Sequence, residues 1–117
     1  MAYWPEPALV VEPAPEAGPV VVSTTYTVRP EHQSDFVHAM RAVRRSRQRT
    51  GAVRWGLFRE GESPDTFVEI YVVDSWQEHL RQHTTRLAAY DQAAEARAVA
   101  YSDAPPAVVH LVPPDLP

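Results

Sequence analysis

The chain has 117 residues, 44% of them apolar, a net charge of −4 and no cysteine. That length predicts one domain with a modest core, and the lack of cysteine excludes disulfides, thiolate catalysis and cysteine-ligated zinc. All eleven basic residues are arginine in a net-acidic chain, so there is no overall basic field to hold a polyanion.

Prolines 5, 7, 13, 15 and 19 stop helix and ladder alike, so residues 1–19 should form an extended arm. Nothing in that start resembles a secretory leader, and no apolar run anywhere approaches the ~20 residues that cross a bilayer. A soluble, cytoplasmic chain is therefore expected. The absence of Lys and Asn, both coded by AT-rich triplets, suggests a GC-rich genome. Residues 20–28 are β-branched and aromatic and predict a first strand. Pro30 then opens a helix in which Phe36, Met40, Val43 and Arg47 recur on one face and which Gly51 ends. Arg41, Arg44, Arg45, Arg47 and Arg49 crowd its last turns, where cations complement the helix dipole, and a mostly solvated stripe is expected there. No aromatic platform interleaves with them, so nucleic acid is not an expected partner.

Residues 52–59 and 66–73 predict two strands joined as a hairpin by the turn-rich EGESPD. Ser75, with Glu78 three positions on, predicts a capping box for a helix running to about Tyr101. Behind Pro105 and Pro106, residues 107–112 supply a last strand, and residues 113–117 form a second proline-rich tail. The order β-α-β-β-α-β over residues 20–112 predicts a ferredoxin-like α+β domain, with both helices on one face of an antiparallel sheet. Val53, Trp55 and Leu57 should share a face with Val68, Ile70 and Val72, while Phe58, Phe67, Tyr71 and Val73 keep the other face apolar. A sheet with one wet face would alternate with charge. Two copies are therefore expected to stack sheet on sheet as a homodimeric α+β barrel.

The run SWQEHLRQH puts Trp76, His79 and His83 on one helical stripe. Imidazole changes charge near neutral pH, which makes His79 and His83 candidate acid-base groups; the plainer alternative is that both line a cleft or bond a carbonyl without reacting. Their spacing suits two ligands to one metal, with Glu69 or Asp91 to complete a site. A zinc site needs its third ligand at a fixed place, however, and no metal is expected. Trp76 either packs at the strand-to-helix corner or touches a ligand. Glu69 and Arg54 should lie on the face of Phe58 and Tyr71, as charges in an apolar setting that need partners. They form an ion pair across the hairpin or dimer boundary, or else Glu69 is a base of raised pKa and Arg54 stabilises an enolate or phenolate.

From WPEPALVVEPAPEAGPVVV through RAVRRSRQRTGAVRWGLF and TFVEIYVVDSWQEHLRQH to PPAVVHLV, the chain resembles the soluble C-terminal domain of actinobacterial major facilitator exporters. That domain is itself similar to the antibiotic biosynthesis monooxygenase superfamily of dimeric α+β barrels. The first resemblance spans nearly the whole chain; the second rests on strand order and on Trp76 and His83. The resemblance implies a cofactor-independent enzyme of secondary metabolism, which abstracts a proton from a polyketide-like or aromatic molecule and then oxygenates, cyclises or isomerises it. The alternative it implies is a non-catalytic ligand-sensing or assembly domain for drug efflux. Superfamily members that oxygenate phenols or open haem use an Asn on the first strand with a Trp and a His near the second helix. This chain has no Asn; Ser23, Thr25 or Thr27 would offer a hydroxyl instead, and the later His of the haem-opening type would fall at Ala88 or Ala89. The candidate catalytic residues are thus His83, His79 and Glu69, and the candidate substrate contacts are Trp76, Arg54, Tyr71, Thr25 and Phe58.

Overall fold

The computed structural model describes residues 9–82 and 88–114. In chain order come β1 (Val20–Thr27), a 3-10 turn (Pro30–His32), α1 (Gln33–Arg49), β2 (Ala52–Glu60), β3 (Ser63–Val73), α2 (Trp76–Arg81), α3 (Ala89–Val99) and β4 (Ala107–Leu111). All strand pairs are antiparallel and the sheet order is β2-β3-β1-β4. This is the ferredoxin-like α+β arrangement that the order of elements predicts.

Helix α1 forms where its apolar spacing says it should, and Phe36, Met40, Val43 and Arg47 are all buried. At its end the Thr50 N–H and hydroxyl both donate to the Ser46 carbonyl, at 3.0 and 2.7 Å. Gly51 then takes φ 131°, a conformation that a side chain disfavours, and turns the chain into β2. The hairpin is tighter than expected, because Glu60 pairs with Ser63 and draws residues 63–65 into β3.

The second helix departs from expectation. Instead of one run to Tyr101, the chain makes α2 and then starts afresh at α3. Ala88 is extended, at φ −100° and ψ 172°, and its N–H donates to the Asp91 carboxylate at 2.8 Å. Residues 88–100 are alanine-rich and favour helix, and the Asp91 side chain, by satisfying the Ala88 N–H, fixes where the new helix begins.

The sheet faces also differ in one respect. Ala52 pairs with Val73 and Arg54 with Val72, so Val53 is an extra residue in a bulge. Without it, the Ala52–Val73 register would set Arg54 opposite Tyr71 and Phe58 opposite Phe67, as the alternation suggests. With it, Trp55 opposes Tyr71 and Leu57 opposes Glu69, whereas Arg54 and Phe58 oppose Val72 and Val68. One added residue moves every later side chain of the strand to the other face. Trp55 and Leu57 therefore turn toward the helices, and Arg54 and Phe58 turn away.

The core lies wholly between sheet and helices. Val20, Val22, Thr24 and Tyr26 of β1 and Phe67, Glu69, Tyr71 and Val73 of β3 are its buried floor. Phe36, Met40 and Val43 have no exposed surface, and burial of each contributes about 1.5–3 kcal/mol. The opposite sheet face is bare: Phe58, Val109 and Leu111 are 55%, 52% and 53% exposed.

Candidate functional site

Ser75 leads from β3 into α2 and accepts the Glu78 N–H on its hydroxyl at 3.1 Å, as the sequence predicts for an N-cap. The Glu78 carboxylate does not reciprocate but accepts from Arg81 at 3.0 Å. The N–H groups of Trp76 and Gln77 are taken instead by the carbonyls of Ala17 and Pro15, each at 2.8 Å. Held in this way, α2 turns Trp76 and His79 inward, where they are 2% and 1% exposed. Their rings lie 5.3 Å apart, and His110 of β4 completes the cluster at 4.9 Å from His79 and 5.9 Å from Trp76. Burial, with His110 and Arg47 adding to it, lowers the His79 pKa to about 3, and burial also lowers that of His110. Both imidazoles are neutral at physiological pH. His83 lies outside the described residues.

Beside this cluster on β3, Glu69 is fully buried and receives four hydrogen bonds. Arg47 donates through Nε to Oε2 at 3.0 Å and through Nη2 to Oε1 at 3.3 Å. The Trp55 indole donates to Oε2 at 2.8 Å, and the Tyr26 hydroxyl to Oε1 at 3.3 Å. Arg47 also reaches Glu95 of α3 at 2.6 Å and lies 4.8 Å from the Tyr71 ring centre. Burial opposes the charge on Arg47, but Glu69, Tyr71 and Glu95 outweigh it and hold the guanidinium protonated. Glu95 is pushed up by burial despite Arg47, and Tyr26 and Tyr71 are likewise pushed up by burial. One cation thus serves two carboxylates.

The sheet divides the expected site residues. Glu69, Tyr71, Trp76 and His79 are inside. Thr25 and Phe58 both oppose Val68 on the bare face, and Arg54 opposes Val72 there. The expected ion pair between Glu69 and Arg54 is replaced by one between Glu69 and Arg47, which removes Arg47 from the solvated stripe. Asp91 does not turn to a metal either, since it accepts from Arg49 and Ala88, and these bonds lower its pKa against the effect of burial. Among the described residues no three His, Cys, Asp or Glu side chains stand close enough to hold a metal ion.

Sequence reasoning missed Arg47, Glu95 and His110 as members of the buried polar set. Each carried a signal. Arg47 continues the apolar stripe of α1, Glu95 follows Asp91 by four positions on an alanine-rich face, and His110 alternates with the outward Val109 and Leu111.

The fold is that of a class of small α+β proteins. Its solved neighbours include candidate antibiotic biosynthesis monooxygenases from Caulobacter crescentus (16% identity, TM-score 0.71, covering 86% of this chain and 93% of that one) and Bordetella bronchiseptica (20% identity, TM-score 0.67, 80% and 95%). A conserved protein from Methanosarcina mazei is similar at 12% identity and TM-score 0.68, covering 80% and 90%. No curated protein sequence matches the chain. Residues 1–115 match the family described as transmembrane secretion effector, and the chain belongs to that family. No helix among the described residues is long and apolar enough to cross a membrane.

Proposed function

We propose that the chain is a non-catalytic ligand-sensing or assembly domain, related to the cytosolic part of major facilitator drug exporters and working in the cytoplasm as a homodimer. The state of Glu69 carries this reading. Its four hydrogen bonds from Arg47, Trp55 and Tyr26 fill the four acceptor positions of a carboxylate, so none is set aside for a substrate proton. A His79 of pKa about 3 is also a feeble base at neutral pH. The bare apolar face of Phe58, Val109 and Leu111 supports the homodimer, and membership of a secretion-effector family supports the link to efflux. The test is to titrate the chain with an anthrone or a dihydroquinone, following tryptophan emission and dissolved oxygen together. Quenching without oxygen uptake is the expected outcome. Oxygen uptake that is lost in His83→Ala would overturn it.

The packing of His79, Trp76 and His110 favours a second reading. It is a cofactor-independent enzyme of secondary metabolism acting on a polyketide-like or aromatic molecule. In that case His83, His79 and Glu69 do the chemistry, Trp76 and Tyr71 hold the substrate from inside, and Arg54, Thr25 and Phe58 act from the bare face at the boundary between two copies.

A further inference from the structure

Most arginines of the described residues are occupied. Arg29 pairs with Asp103, Arg47 with Glu69 and Glu95, Arg49 with Asp91 and Arg81 with Glu78. Arg44 lies over the Trp55 ring, and Arg59 lies over Phe67 while donating to Gln33. That leaves Arg41, Arg45, Arg54 and Arg97 without an ion pair or ring contact among the described residues. Three of these four line one groove of about 290 Å³ between α1 and α3, together with His38, Tyr101 and Asp35. Arg41 and Arg45 are four apart on α1, so they repel one another, and neither has an ion pair among the described residues. Arg97 stands in the last turn of α3, and Tyr101 lies just past the end of that helix. Asp35 is six residues ahead of Arg41, about 9 Å along the helix, so the acid lies nearer the N-terminal end of α1 than Arg41 and Arg45 do.

We infer that this groove binds a small molecule bearing a phosphate ester or diphosphate, gripped by Arg41, Arg45 and Arg97. The planar fork of a guanidinium matches phosphate oxygens two at a time, and three such forks suit a group with more than one negative charge. Tyr101 offers a flat surface to the rest of the molecule, and Asp35 favours a hydrogen-bond donor at its far end. The site lies on the outer side of the helices, away from Glu69 and His79, and stands whether or not the interior is catalytic.

The experiment is calorimetric titration of the full chain with pyrophosphate. Saturable binding is expected, weakened about tenfold by Arg45→Ala or Arg97→Ala, as the loss of a charged hydrogen-bond partner implies. Arg81→Ala removes the same charge from α2, outside the groove, and should leave binding unchanged. All these side chains are exposed, so the variants should melt like the parent. An absence of saturable binding overturns the inference, as does an Arg81→Ala effect equal to that of Arg45→Ala. Sedimentation with phosphatidylglycerol vesicles covers the other source of phosphate. Vesicle binding without pyrophosphate binding would assign the arginines to a lipid surface and overturn the small-molecule site.

Discussion

Arg47 Nε donates to Glu69 Oε2 at 3.0 Å across 22 residues of sequence, with both side chains no more than 2% exposed. The bond joins the last turns of α1 to the centre of the sheet. Removing one member of such a pair leaves a buried charge without compensation. Arg47→Met should therefore cost about 3–5 kcal/mol in urea unfolding, and adding Glu69→Leu to it should recover much of that loss. A loss under about 1 kcal/mol in the single variant would mean that water reaches the carboxylates.

Acid should weaken the fold through His79. Its pKa in the folded chain, about 3, lies below the ordinary value of 6.5, so the unfolded chain takes up the proton first. The stabilisation is full above pH 6.5 and is lost as pH falls toward 3, on the order of 2 kcal/mol by about pH 5. Lowered His110 acts in the same sense, while raised Glu95 acts oppositely and gives up stability as pH rises. The test compares unfolding free energies of the parent and His79→Gln from about pH 7 to pH 5. The variant's profile should be the flatter, and identical slopes would count against the assignment.

The bare sheet face should mediate pairing. Phe58→Arg or Leu111→Arg places a charge where the parent exposes more than half of an apolar side chain. Sedimentation equilibrium should find the parent at twice 13.1 kDa and these variants at 13.1 kDa, with helix content unchanged. A monomeric parent at micromolar concentration would remove the homodimer.

Gly18 approaches the start of α2 closely. A Cβ built there would stand 1.8 Å from the Asp74 carbonyl oxygen, which is backbone and has no rotamer to yield. Gly18→Ala should cost about 1–3 kcal/mol and make the Trp76 and Gln77 amides, which donate to the Ala17 and Pro15 carbonyls, more open to hydrogen exchange. Unchanged protection of the Trp76 and Gln77 amides would contradict this.

What the sequence made legible was whatever depends on local period and punctuation. The stripe of Phe36, Met40 and Val43, the stop at Gly51 and the cap at Ser75 all lie where reading them predicts. Facing in β2 was not legible, because the bulge at Val53 arises from pairing with β3 and leaves no mark on the alternation of β2 itself. The break at Ala88 was hidden for a similar reason, since Asp91 looks like any other helical acid until its bonds to Ala88 and Arg49 are seen. Burial of Arg47 was half visible. Its position belonged to the apolar face, yet its company of four other arginines pointed to solvent, and only the two carboxylates opposite decide the matter.

The first turn of α2 is completed by carbonyls from residues that precede the whole sheet. Shortening the protein to begin at its first strand would strip those amides of acceptors and loosen the corner that carries Trp76 and His79. The corner therefore depends on chain upstream of β1, and a protease nick in that leading stretch should be felt at the paired imidazoles.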